Sequence, residues 1–140
     1  MKFRRVKKMF LGSYRPSFDL NSRRIALPKK IREYLKTNEI ILSFGFEKCI
    51  FGFDTQTWQE QSEKQLGRPI TDRVSRDIRR FFFATAEHIR LDDQGRFVIP
   101  GQLLEYAEVK SPIIIGAGDH FEIWNEATWE AHKLKLGEEA

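Results

Sequence analysis

The residues able to do covalent or metal chemistry are few in this 140-residue chain, and their spacing argues against each such use. The histidines His88, His120 and His132 are scattered, with no metal-ligand spacing. His120-Phe121-Glu122 has the H-x-E half of a zinc deaminase motif but lacks the P-C-x-x-C half, so His120 reads as a satisfied strand residue. Asp92-Asp93-Gln94-Gly95 opens like a calcium loop without the later ligands. Gly116-Ala117-Gly118 is a bare G-x-G and reads as a hairpin turn, not a dinucleotide fingerprint. The single cysteine, Cys49, lies in an apolar run and reads as a small buried hydrophobe; it excludes an internal disulfide framework. The expectation is a protein that is not an enzyme, with no catalytic set, no metal and no cofactor.

Charge is the stronger signal. Residues 1–36 hold twelve Lys and Arg against two acids, a surplus of ten, while the remaining residues carry a deficit of six. Such a split points to a polyanion surface at one end of the molecule. Lys2 to Lys8 alone read equally well as a solvated basic tail, but from Arg15 onward the charges run into segments with the pattern of folded structure. Arg15, Arg23, Arg24, Lys29, Lys30 and Arg32 are the candidates there. No apolar run approaches the ~20 residues needed to span a bilayer, and no apolar segment follows the charged start, so a soluble cytoplasmic protein is expected.

The elements that must position these charges are repeated. Arg24 and Pro28 recur 72 residues later as Arg96 and Pro100, as do Ile31, Glu33 and Tyr34 in Leu103, Glu105 and Tyr106. Ile40-Ile41-Leu42 matches Ile113-Ile114-Ile115, Phe53-Asp54 matches Trp124-Asn125, and Trp58 matches Trp129, with shifts of one residue that fall in loops. Each copy reads as a strand (Ile25–Leu27; Phe97–Ile99), a proline, and a short helix (Lys29–Lys36; Gln102–Glu108). Two strands joined by a glycine turn come next (Ile40–Ser43 and Cys49–Phe53; Pro112–Ile115 and His120–Trp124), with Gly45 and Gly118 supplying positive φ. Asp54 and Asn125 should cap helices bearing Trp58 and Trp129. Between the copies, Thr71 should cap a helix that buries Val74, Ile78, Phe81 and Phe82. The tryptophans and Phe81 to Phe83 read as core, and residues 137–140 as a frayed end. The class is α+β.

The segment Asp92-Asp93-Gln94-Gly95-Arg96-Phe97-Val98-Ile99-Pro100 resembles the D-x-x-G-R-x-x-I-P signature of SpoVT/AbrB-type domains. Two copies, a start at Phe10-Leu11-Gly12, Arg80-Phe81-Phe82 before copy two, and the endings Phe121-Glu122-Ile123-Trp124 and Ala127-Thr128-Trp129 are together similar to the MraZ family over residues 9–132. The resemblance implies two tandem swapped-hairpin β-barrel repeats that pair within one chain, with flanking helices. It divides the chain into a basic segment (1–12), a first domain (13–57), connecting helices (58–85), a second domain (86–128) and a C-terminal helix and tail (129–140).

The resemblance also implies a nucleoid-associated, sequence-selective transcriptional regulator. Its partners would be double-stranded DNA, as direct repeats upstream of a cell-division and cell-wall gene cluster, and further copies of itself in a ring of about eight. Arg96 joins the DNA-binding candidates by this route. One departure stands out. Where the family carries D-x-K-G-R in copy one, this chain has Leu20-Asn21-Ser22-Arg23-Arg24, so Arg23 replaces the glycine, and Asp19, one place early, is a candidate to compensate through a shifted turn. That departure keeps open an alternative: an antitoxin-like or scaffolding interaction module that no longer reads sequence.

Overall fold

A computed structural model describes residues 9–139, so the basic residues Lys2 to Lys8 lie outside the described part. Copy one contributes β1 (Ser13–Tyr14), β2 (Phe18–Asp19), β3 (Arg24–Ala26), α1 (Lys29–Arg32), β4 (Glu39–Phe44), β5 (Ile50–Asp54) and α2 (Thr55–Leu66). Then come α3 (Arg73–Phe83), β6 (Glu87–Arg90), β7 (Arg96–Val98), α4 (Gly101–Ala107), β8 (Pro112–Gly116), β9 (Phe121–Asn125) and α5 (Glu126–Glu139).

The two copies meet on a shared pseudo-dyad. β3 and β7 pair antiparallel with Ile25 opposite its own equivalent, Phe97. Two flanking hydrogen bonds obey the same symmetry: Ile99 N–H donates to the Arg23 carbonyl and Leu27 N–H to the Gly95 carbonyl, each at 2.9 Å. In the larger sheet β5 pairs with β9, and Phe51 again faces its equivalent, Glu122. The outer strands are exchanged: β1 of copy one pairs with β8, and β6 of copy two pairs with β4. Neither copy completes its sheet without the other. The buried side chains Ile25, Leu27, Ile31, Ile40, Ile50, Phe97, Ile99, Leu103, Ile114, Phe121 and Ile123 form one core drawn from both.

The expected closed barrel is not formed. Among the described residues the strands make two open antiparallel sheets, one of six strands in the order β1-β8-β9-β5-β4-β6 and one of three in the order β2-β3-β7. β3 and β7 are three residues each, roughly 10 Å long at ~3.3 Å per residue, and Pro28 and Pro100 follow closely. The edges of the smaller sheet, β2 and β7, form no ladder with the edges of the larger one, β1 and β6, so the two sheets stay open.

Local chemistry explains several smaller departures. The β4–β5 hairpin turns through Glu47 and Lys48, at φ of 62° and 59°, and not through a positive φ at Gly45. Gly45 is needed for space, since a Cβ there would collide with the Phe51 ring and the Cys49 sulfur. Gly118 does take positive φ, 86°. Asp72, and not Thr71, caps α3, accepting from Ser75 N–H at 3.1 Å. Asp54 caps α2 through Thr57 N–H at 2.7 Å as expected. The Asn125 amide oxygen is given instead to the backbone N–H groups of Lys110 and Ser111, both at 3.1 Å.

The helix α1 stops at Arg32, short of Lys36, because the bonds Tyr34 N–H to Ile31 and Leu35 N–H to Arg32 tighten the chain into i→i+3 turns. Helix α5 continues through Gly137 to Glu139. On α3, Val74 is 60% exposed and Ser75 is the buried residue, so its apolar face is only partly covered. Of the expected core aromatics, Trp124 is buried, but Trp58, Trp129 and Phe81 to Phe83 are half-buried.

His120 closes the β8–β9 hairpin. Its Nδ1 meets Asp119 and its Nε2 meets Glu122, each at 2.8 Å, while its ring packs on Phe51 and Phe53. Burial alone would lower its pKa, but the hydrogen bonds and charges of the two carboxylates outweigh burial and raise it above 6.5. The protonated form is therefore the one the fold favours. This stabilisation is complete below the unfolded value and fades as pH rises through the folded one. Melting temperature measured from about pH 5 to about pH 9 should fall over that window, and His120→Gln should flatten this part of the profile.

Candidate nucleic-acid interface

The β2-β3-β7 ribbon has one buried and one open face. Phe18, Ile25 and Phe97 point inward; Arg24, Arg96 and Val98 are exposed on the other side, with Ala26 half-buried between them. Because Arg24 faces Val98 and Ala26 faces Arg96, the two arginines stand diagonally across the pair on one surface. Both line the same open depressions. One lies between β2 and β3, beside Asp19 and Ser22. The other runs between β6 and β7 and adds His88 and Arg90.

The two loops that aim these arginines differ. In copy two Asp92 and Arg96 are four residues apart. The Asp92 carboxylate accepts from Gln94 N–H (2.9 Å), Arg96 N–H (2.8 Å) and the Arg96 Nε–H (2.8 Å). The backbone and side-chain bonds from Arg96 hold the Asp92 carboxyl below its ordinary pKa. Gly95 sits at φ 76° and completes the turn. In copy one Asp19 and Arg24 are five apart and paired across the ribbon. Asp19 accepts from the Ser22 hydroxyl and the Asn21 N–H, which lower its pKa, and Ser22 Oγ in turn accepts from Arg24 N–H at 3.2 Å. The serine relays what Asp92 does directly. Among the described residues the Arg24 guanidinium has no ion pair.

Arg23 occupies the glycine position at φ 61°. A non-glycine residue there costs of order 1 kcal/mol. Its carbonyl is held by Ile99, and its guanidinium lies over Gly101 at the start of α4, where a Cβ would collide with it. Arg23 thus reaches across to copy two while remaining exposed.

The remaining candidates are spread out. Lys29 and Lys30 are exposed on α1. Arg32 lies across Gly95, whose lack of a Cβ makes room for it, and its Nε is buried without a partner. Arg15 is bound by Glu126 through Nε at 2.9 Å and Nη2 at 2.8 Å. Arg24 and Arg96 share the ribbon face, Arg23 and Arg32 each pack against the other copy, and Arg15 is tied to α5.

His88 and Arg90 escaped the sequence reading. Their signal was a two-residue alternation on β6, too short and polar to stand out as a strand. Arg90 is 77% exposed and only loosely paired with Glu39, at 3.7 Å. Cys49 is buried; burial, then the Glu122 and Glu47 carboxylates, push its thiol well above the ordinary range, which rules out a resting thiolate. Among the described residues no group of three or more His, Cys, Asp or Glu is placed to hold a metal ion, and no helix is long and apolar enough to cross a membrane.

Comparison with known proteins places this geometry. A family model described as "MraZ protein, putative antitoxin-like" matches twice, over residues 9–81 and 82–140, so the internal repeat is a repeat of the family's own unit. The transcriptional regulator MraZ of Acetivibrio thermocellus is 37% identical over 125 residues, covering 89% of this chain and 86% of that protein. That of Caldicellulosiruptor saccharolyticus is 39% identical over 123 residues, covering 87% and 85%. That of Roseiflexus sp. (strain RS-1) is 37% identical over the same length. With both halves matched and the relatives aligned nearly end to end, the chain belongs to the MraZ family.

Proposed function

We propose that the protein is a DNA-binding transcriptional regulator whose docking surface is the open face of the β2-β3-β7 ribbon. The observation that carries this is the pairing of β3 with β7, which stands Arg24 and Arg96 together on one exposed surface with Arg90 beside them. Arginine's fork can meet guanine O6 and N7 together, whereas lysine serves as a point charge for phosphate. Among the described residues Arg24 has no ion pair, and it is the base-reading candidate. Arg96 is held by Asp92 and mainly orders its loop. Lys29 and Lys30 supply phosphate contacts. Arg23 and Arg32 set the loops that carry the arginines, and their charge adds to the field. The relatives' designation as transcriptional regulators supports the same reading.

The finer expectations belong to this proposal. They are a cytoplasmic, nucleoid-associated protein, direct repeats upstream of division and cell-wall genes, and a ring of about eight copies that multiplies weak sites by effective concentration. Division into domains 13–57 and 86–128 is part of the same reading.

Two measurements test it. In anisotropy titrations with the duplex from upstream of the chain's own gene, Arg24→Ala should cost about 1–3 kcal/mol of affinity with an unchanged melting temperature. Arg96→Ala should lower the melting temperature and weaken binding less than Arg24→Ala does. Arg24→Ala binding like the unmodified protein would remove the assignment. Repeating the titration across salt concentrations should give a log–log slope of about −2 per subunit engaged, for the two phosphates met by Lys29 and Lys30. A slope near zero would favour the interaction-module alternative.

A further inference from the structure

Away from the ribbon, a cavity of about 250 Å³ opens between α2, α3 and the β5/β9 side of the large sheet, and it shares no residue with the depressions around Arg24 and Arg96. Its walls are Phe46, Phe51, Phe53, Trp58, Phe82 and Phe83. The rings form a continuous set: Phe53–Trp58 at 5.3 Å, Trp58–Phe83 at 6.0 Å, Phe51–Phe53 at 6.2 Å, Phe46–Phe82 at 5.4 Å and Phe51–Phe82 at 6.0 Å. Only Phe53 among the six is buried, and Phe46 is 50% exposed. Aromatic area of this extent is ordinarily covered in a folded chain.

The polar lining is unfinished. Ser62 Oγ and Gln65 Oε1, one turn apart on α2, are both withdrawn from solvent and both lack a hydrogen-bond partner. A buried carbonyl-type oxygen without a donor is costly, and native structures keep few of them. Arg79 fixes this end of α2 by donating to the carbonyls of Gln65 and Leu66, each at 3.3 Å, and of Arg68, so the acceptors are held in place. Asp119 and His120, the charged residues of the lining, are already satisfied. Asp119 is engaged by His120 and Gln61, and His120 by Asp119 and Glu122.

We infer that this cavity is a binding site for a neutral, planar heteroaromatic molecule of one or two rings that carries a ring N–H. The volume is that of about eight waters, the size of such a ring system. The walls supply π-faces for stacking. Gln65 Oε1 needs a donor, and Ser62 Oγ–H can complement either a donor or an acceptor on the same edge. A cation is disfavoured, because both oxygens of the lining carboxylate Asp119 are already engaged, by His120 and Gln61, and an ammonium between the aromatic walls would lose its hydration without a free counter-ion. A hydrocarbon of the same shape leaves Gln65 unpaired.

The test is calorimetry and ligand-observed NMR on the full chain with four probes. These are indole, adenine, indene (indole's shape without the N–H) and tryptamine (indole with a cationic arm). Saturable one-to-one binding of indole or adenine is expected, with indene and tryptamine at least tenfold weaker than indole or adenine. Gln65→Leu should bring the N–H probes down to the level of indene and leave indene unchanged. Ser62→Phe, which fills the cavity, should abolish all binding. Circular dichroism and melting temperature establish that each variant is folded; if neither is, the comparison of probes on the unmodified chain decides alone. The inference is overturned by no saturable binding of indole or adenine at millimolar concentration. It is equally overturned by indene or tryptamine binding as tightly as the N–H heterocycles, or by an unchanged indole affinity in folded Gln65→Leu.

Discussion

Three residues of one repeat lie antiparallel to three residues of the other, and almost every feature of the molecule depends on that contact. When Ile25 meets Phe97, both go into the shared core, and the residues on either side turn outward together. Because side chains alternate along a strand, slipping the register by one residue would bury Arg24 and Arg96 and expose Ile25 and Phe97. The burial of two large apolar side chains, worth roughly 1.5–3 kcal/mol each, therefore fixes where the arginines stand. The exchanged strands β1 and β6 reinforce the arrangement, since each completes a sheet begun by the other copy. Stability and the presentation of charge have one cause.

A symmetric scaffold need not present symmetric loops. In copy two a glycine at φ 76° and an aspartate four residues before the arginine make a self-contained turn. In copy one the spacing grows by one, a serine bridges the gap, and Arg23 holds the left-handed conformation that glycine would adopt without cost. That conformation is compensated from outside the loop. Its carbonyl is bonded by Ile99, and its guanidinium has room over Gly101. Gly95 gives reciprocal room to Arg32. Each loop is thus shaped partly by the other copy. The local freedom of Arg24 follows from the longer loop, and the restraint of Arg96 from the shorter one.

Much of this was legible in the residues. The repeat offset, the prolines after β3 and β7, the helices that follow them and the Asp92–Arg96 pair all have short-range causes. A fixed offset says only that two units are alike. It does not say whether they stack, pair edge to edge or exchange strands, because those outcomes depend on contacts between residues some 70 positions apart. The closed barrel failed because the edges of the two sheets do not pair, and pairing between distant edges leaves no trace in local periodicity. Thr71 and Asp72 are both good caps one residue apart, and only the bond to Ser75 separates them. The aromatic spacing on α3 reads as a buried face, yet the cavity leaves that face half-covered, as local tension at a binding site would. Arg90 was hidden because a four-residue polar strand has no apolar pattern to announce it.

The central claim, that the paired strands make one arginine surface that meets DNA, is tested most directly by amide hydrogen exchange with and without the duplex from upstream of the gene. The account predicts that DNA slows exchange in the segments spanning residues 19–26 and 90–98 together, since both belong to one ribbon. Protection confined to α5 or to the α2–α3 corner, or protection of one ribbon segment with the other left unchanged, would contradict it.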